Sequence, residues 1–249
     1  MDFENQYGTF AIQRQLLVLL KQFDDLCQQE GIEYTVSSGT LLGAVRHKGF
    51  IPWDDDLDVW LSRKGYEKLL ACLPIKGLNV ERNTDQALWI DRLRLEDDAM
   101  ATMDLFILDN LPDNVMAAKA KILFLKILQG MMKRKPVYSG YSTLGKIKVF
   151  ITYNFGRLFS RKKKMAWYHA ISNWGNDKET KYKILVNDRF SGLTIKYPKE
   201  LVSSFVRLPF EDTQVAAMVG WHEYLTMIYG DYKTPPRKEE RTPLHLHKG

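Results

Sequence analysis

The chain has 249 residues, 45% of them hydrophobic and 27% charged, and carries a net charge of +6. This is ordinary globular composition and excludes a disordered, collagen-like or disulfide-scaffold protein. No run of about 18 uninterrupted apolar residues occurs, which argues against a membrane-spanning helix.

The opening MDFENQYGTF has neither a basic n-region nor an apolar h-region, so no secretory signal is read and a cytoplasmic location is expected. Residues 10–30 read as an amphipathic helix, with Ile12, Leu16, Leu19, Leu20, Phe23 and Leu26 at helical spacing and Gly31 as its stop. A short strand follows over 32–37. Gly39 and Gly43 then bracket a turn and a short helix. Residues 57–61 form a second strand, and Ser62 caps a helix that runs to about Leu73 ahead of Pro74. Further strands are read over 78–81, 88–95 and 100–108. This order predicts a mixed α/β (α+β) sheet domain. The two cysteines, Cys27 and Cys72, fall within helical patterns and read as buried thiols of a reducing compartment.

Beyond Asp113 the character changes. Residues 115–132 read as an apolar helix interrupted by Lys119, Lys121 and Lys126, and 146–160 lead into the run Arg161-Lys162-Lys163-Lys164. From Asn114 to Asn176 there are thirteen Lys and Arg and no Asp or Glu; the rest of the chain has 23 basic against 30 acidic residues, a net of −7. The basic character therefore belongs to one segment, which suits an anionic partner surface. Its bland reading is a solvated basic face; its functional reading is a peripheral membrane contact through 114–176. Three parts are expected: a catalytic core over 1–113, a basic helical subdomain over 114–176, and a C-terminal segment over 177–249 that closes back on the core.

Asp54, Asp55, Asp56 and Asp58 lie within five positions, directly before an apolar strand. Taken alone, such a cluster is a solvated turn or a site that expects a cation. Alternation along a strand projects Asp56 and Asp58 to one side. Two carboxylates so close remain ionised cheaply only near positive charge. Oxygen ligands of this kind favour Mg²⁺ or Mn²⁺. Asp54, in the preceding turn, and Asp55, on the other face, are expected to matter less. Asp104 stands in a later strand among large apolar neighbours and would complete the cation site if its strand lies beside that of Asp56 and Asp58. Asp109, at that strand's exit, reads equally as a turn residue. Upstream, Ser38-Gly39-Thr40 opens a helix and can present backbone N–H groups to a phosphate, with Arg46 and Lys48 close enough to hold further phosphate charge.

This combination resembles the nucleotidyltransferase superfold. More closely, GTLLGAVRHKGFIPWDDDLD, residues 39–58, resembles the signature of the LicD family, related to the fukutin-like glycan-modifying enzymes. Met103-Asp104-Leu105-Phe106, Phe210-Glu211-Asp212 and Tyr229-Gly230-Asp231-Tyr232 extend the likeness, which skips residues 114–200. The resemblance implies Mg²⁺ or Mn²⁺ on Asp56, Asp58 and Asp104, and donor binding by Ser38, Gly39, Thr40, Arg46 and Lys48. It implies transfer of phosphocholine or a polyol phosphate from a CDP-activated donor to a cell-surface glycan, lipid-linked in such pathways, with release of CMP. Ser38 stands where the family often has a second glycine, and Thr102 where it often has histidine; both bear on donor preference. The alternatives are a nucleotidyltransferase of the same fold, a non-catalytic nucleic-acid binder using the basic segment, and an inactive scaffold in glycan assembly. A complete carboxylate set argues against the binder, so no nucleic acid is expected.

Overall fold

The computed structural model of the protein describes residues 7–74, 77–81, 90–133, 135–136 and 138–243. These fall into two compact units. One is built from the chain up to Glu81, from Asp91–Ile107 and from Glu200 onward; the other holds Leu108–Lys199.

The first unit begins with helix α1 (Phe10–Glu30), which buries the expected face from Ile12 to Leu26 and ends at Gly31 with φ 60°, a left-handed conformation that costs glycine little. Strand β1 (Tyr34–Val36) is buried throughout. Helix α2 (Ser38–Arg46) follows, then β2 (Leu57–Ser62) and α3 (Arg63–Cys72). Ser62 caps α3 by accepting from the Gly65 N–H. Strands β3 (Leu78–Glu81) and β4 (Asp91–Leu95) come next, then β5 (Asp98–Leu111), which runs on into the second unit. The strand expected over 88–95 is seen from Asp91; residues 82–89 lie outside those described.

The sheet order is β3-β4-β5-β2-β1-β9-β8, where β8 (Phe205–Phe210) and β9 (Thr213–Met218) form a hairpin. Strand β1 is antiparallel to β2 and parallel to β9, with Val36 opposite both Val59 and Ala217. The sheet is thus mixed, as the α/β expectation required. The sequence suggested no strands near the C-terminus, because Pro209 interrupts the apolar run. Proline is tolerated on an edge strand, and β8 is the edge. The hairpin is anchored by Asp24 of α1. That carboxylate is 5% exposed and takes both guanidinium nitrogens of Arg207 at 2.6 Å. It also accepts from the Tyr34 hydroxyl at 2.6 Å and from Gln28 at 2.7 Å.

In the second unit, the end of β5 pairs with β6 (Tyr182–Leu185), and β6 with β7 (Tyr197–Pro198). Three helices accompany them: α4 (Val115–Met132), α5 (Thr143–Gly156) and α6 (Arg161–Asn173), capped in turn by Asn114, Ser142 and Ser160. The basic run at 161–164 is the first turn of α6. Lys121 does not belong to a solvated face. It is fully buried, and its ammonium donates to the carbonyls of Asn110 and Trp174 at 2.6 and 2.8 Å. Lys164 likewise donates to the carbonyls of Met131 and Gly156. Asp109 is 1% exposed and sits within β5, opposite Ile184. It is a strand residue, not a turn residue. Among the described residues no helix is long and apolar enough to cross a membrane.

Candidate functional site

Chain crossing from β1 to α2 builds one wall. Ser37 N–H donates to the Asp58 carbonyl at 2.9 Å. Three residues on, the Thr40 hydroxyl accepts from the Asp58 N–H at 2.9 Å. Thr40 is buried and thus fixes the backbone of β2 against the start of α2. Ser38 lies between them at φ 46°, in the left-handed region that glycine occupies at least cost. Its N–H donates to the Tyr224 hydroxyl at 3.2 Å.

The aspartates face this wall. A Cβ placed on Gly39 would stand 2.5 Å from Asp54 Oδ2, so the glycine admits the carboxyl group. The loop carrying Asp54 is held from α1: Gln13 donates to the carbonyls of Ile51 and Asp54 at 3.0 and 2.8 Å, and Thr9 to that of Pro52 at 2.6 Å. Burial pushes the Asp54 carboxyl well above its usual range. The charge of Asp56, a hydrogen bond to Asp56, and the charges of Asp58 and Asp55 add to that push. Asp54 therefore stands with Asp56 and Asp58, although its turn position had suggested a lesser part for it. Only the approach of Gly39, a tertiary contact, reveals this. Asp55 is buried at 7% exposure, while Asp56 and Asp58 are half-buried.

Asp104 stands on β5, the strand next to β2 in the sheet. Its carboxylate accepts from Arg92 Nε at 2.8 Å, and Arg92 lies directly opposite it on β4. Among the described residues no group of three or more His, Cys, Asp or Glu side chains is placed to hold a metal ion, so Asp56, Asp58 and Asp104 are not gathered into one ligand set. Mg²⁺ commonly takes only one or two protein carboxylates and completes its shell with water and substrate phosphates. The donor set of Asp56 and Asp58 suits that habit. The excess negative charge felt by Asp54 is the kind that a cation relieves.

The basic residues of the signature divide. Arg46, half-buried, donates from Nη1 to the Tyr232 carbonyl at 3.1 Å; burial and then nearby Arg241 lower its pKa, against an upward pull from Tyr229. Lys48 is exposed and has φ 58°. Its carbonyl accepts from the Glu211 N–H at 2.7 Å, and the Glu211 carboxylate accepts from the Phe50 N–H at 2.9 Å. Phe210 packs edge-on against Phe50 at 4.8 Å. The Phe210-Glu211-Asp212 motif is thus the hairpin tip that braces residues 48–50. A Cβ on Gly49 would meet the Glu211 carboxylate, so the glycine leaves that group room to reach the Phe50 N–H.

Helix α7 (Trp221–Tyr229) supplies Tyr224, which the sequence did not single out, and Tyr229, which opens the Tyr229-Gly230-Asp231-Tyr232 likeness. Tyr224 is buried and stacks edge-on with Trp60 at 4.9 Å. Although 42% of Tyr229 is exposed, its hydroxyl is pushed up by burial first, then by Tyr224 and by Asp58, Asp54 and Asp56. Both tyrosines therefore border the acidic cluster. The hydroxyl of Tyr232 pairs with His222 Nδ1 at 2.7 Å.

Comparison with known proteins agrees with this geometry. The LicD/FKTN/FKRP nucleotidyltransferase domain family matches residues 31–105, the stretch that carries α2, the acidic cluster and Asp104. The chain is 30% identical over 252 residues to the lipopolysaccharide cholinephosphotransferase LicD of Haemophilus influenzae, covering 93% of this chain and 94% of that protein. An uncharacterized protein of Rickettsia prowazekii is 46% identical over 59 residues, 24% of this chain and 22% of that one. An uncharacterized protein of Rickettsia typhi is 38% identical over 71 residues, 27% of this chain and 23% of that one. With a likeness that spans nearly the whole chain and centres on this acidic site, the chain belongs to the LicD family.

Proposed function

We propose that the protein transfers phosphocholine, or a polyol phosphate, from a CDP-activated donor to a sugar hydroxyl of a lipopolysaccharide-type glycan. The observation that supports this reading is the Asp54-Asp56-Asp58 cluster against the start of α2, in a chain similar over 93% of its length to a lipopolysaccharide cholinephosphotransferase. Mg²⁺ or Mn²⁺ held by Asp56 and Asp58, with Asp104 one strand away, would supply positive charge to the donor's pyrophosphate. The start of α2 at Ser38, Gly39 and Thr40 would receive a phosphate through helix-terminal N–H groups. Arg46 and Lys48 would add cationic charge at its flank.

The acceptor oxygen attacks the phosphorus that bears the alcohol. The new P–O bond forms as the bond from that phosphorus to the bridging oxygen breaks, and the bridging oxygen leaves on the cytidine-bearing phosphate as CMP. Asp104, whose carboxylate accepts from Arg92, would hold the acceptor hydroxyl and take its proton. Tyr224 and Tyr229 wall the cluster and limit water. We place the reaction in the cytoplasm; the two free thiols, Cys27 and Cys72, suit a reducing compartment.

The test measures CMP release from CDP-choline, CDP-ribitol and CDP-glycerol with extracted glycan as acceptor, with Mg²⁺ or with chelator. Asp56→Asn and Asp58→Asn should lose at least ~100-fold in turnover and should lose Mn²⁺ binding by calorimetry, with unchanged circular dichroism. Such a loss is the scale expected for electrostatic stabilisation of a transferring phosphoryl group. Transfer of labelled cytidine to the acceptor would instead establish nucleotidyl transfer, and full activity in either variant would refute the metal-site reading.

A further inference from the structure

Helix α5 turns a row of large apolar side chains outward. Leu144, Ile147, Ile151 and Phe155 recur three and four residues apart and are between 49% and 71% exposed. Phe150 and Leu158 widen the patch at 59% and 73%. The opposite side of the helix is the one that packs: Val149 and Gly156 are buried. Thr152 meets Gly130 of α4, and Gly156 lies against the Met131 backbone. Among the described residues of its unit the stripe therefore has no partner, although contiguous exposed apolar surface of this kind normally marks an interaction site.

The charge around the stripe identifies what covers it. Lys146 and Lys148 lie on α5 itself. Arg161, Lys162 and Lys163 form the first turn of α6, where no acidic residue offsets them. Cations at a helix N-terminus oppose the helix dipole, so this placement is locally unfavourable and is relieved by an external anionic surface. Lys163 also lies over the rings of Phe159 and Trp167, at 5.5 and 5.3 Å. This leaves an aromatic and cationic rim beside the stripe. Apolar bulk with flanking Lys, Arg and aromatic groups is the composition of a helix lying in a lipid headgroup region. A second copy of the chain meeting this face would bring like charges together, with no Asp or Glu between Asn114 and Asn176 to pair with them.

We propose that α5, with the first turn of α6, is an interfacial anchor that seats the protein on an anionic lipid bilayer. The claim does not rest on the proposed reaction. Lys121 and Lys164 take no part in it, since their ammonium groups are spent on carbonyls within the unit.

The test is co-sedimentation of the full chain with phosphatidylcholine vesicles, with and without phosphatidylglycerol, at low and high salt. Wild type should bind the anionic vesicles at low salt and release at high salt. The variant Leu144→Ser, Ile147→Ser, Ile151→Ser should bind at least ~10-fold more weakly. The variant Arg161→Ser, Lys162→Ser, Lys163→Ser should weaken by about 10- to 100-fold on anionic vesicles alone. Every replaced side chain lies outside the core, and circular dichroism confirms that both variants fold. Wild type left in the supernatant, or either variant binding like wild type, overturns the proposal. So does light scattering that shows an oligomer which vesicles do not dissociate and the apolar variant does. Displacement from vesicles by a single-stranded oligonucleotide that the apolar variant binds unchanged would assign the surface to nucleic acid instead.

Discussion

Gly39 makes room for Asp54: a methyl group on the glycine would stand 2.5 Å from the aspartate's Oδ2. The contact joins the start of α2 to the acidic cluster and sets where the Asp54 carboxyl can lie. Gly39→Ala should therefore keep the fold, by circular dichroism, while displacing Asp54 toward Asp56. A displacement of about 1 Å near reacting groups can cost up to ~100-fold in rate, so CMP release should fall by at least ~10-fold. Asp54→Asn, which keeps the shape of the side chain that lies against Gly39, should be milder than Asp54→Ala. Equal activity of Asp54→Ala and wild type would remove Asp54 from the site.

Ser38, at φ 46°, offers a test of stability in the opposite direction. A left-handed conformation costs a residue with a Cβ about 1–2 kcal/mol, while glycine loses ~0.4–1 kcal/mol through the unfolded chain. Ser38→Gly should thus gain about 0.5–1 kcal/mol in urea unfolding, and Ser38→Val should lose stability, since β-branched residues are poorly tolerated at positive φ. Stabilisation by valine would contradict the backbone geometry.

Glu211 should act on the site through the loop it braces. Glu211→Ala leaves the Phe50 N–H without its acceptor, which costs about 1–3 kcal/mol. It also loosens the segment that presents Lys48. Thermal stability should fall and the donor's KM should rise, while Glu211→Gln, which keeps the acceptor oxygen, should recover most of both. A stability loss with unchanged KM would limit Glu211 to a structural role.

Asp24 gives the pH dependence. Burial raises its pKa, but hydrogen bonds from Arg207 and Tyr34, the Arg207 charge and the Gln28 hydrogen bond outweigh it, so the carboxyl lies below its usual value of 3.8. The unfolded chain then binds more protons than the folded one over that interval. Stability from this group is present above about pH 4 and is lost as pH falls through the lower, folded pKa. Asp24→Asn should cost about 1.5–3 kcal/mol at neutral pH and should show a flatter loss of stability on acidification below pH ~4. Parallel acid-unfolding curves for wild type and variant would show that other groups set the acid limit.

Local physics made some of the protein legible in its sequence. The face of α1, its stop at Gly31 and the Ser62 cap depend on neighbours a few residues apart. The twenty-residue signature carried the family for the same reason, being one continuous stretch. Tertiary structure alone decided the rest. Glu211 reaches Phe50 across 161 residues, and Arg207 reaches Asp24 across 183; no periodicity encodes such pairs, because sheet order and register create them. Lys121 looked like one lysine of a basic face until the carbonyls of Asn110 and Trp174 converged on it. Asp54 looked like a turn residue until α2 brought Gly39 against it. Composition specified how much charge the chain carries, but burial and the partners folding supplies decide which of those charges remain available to a ligand.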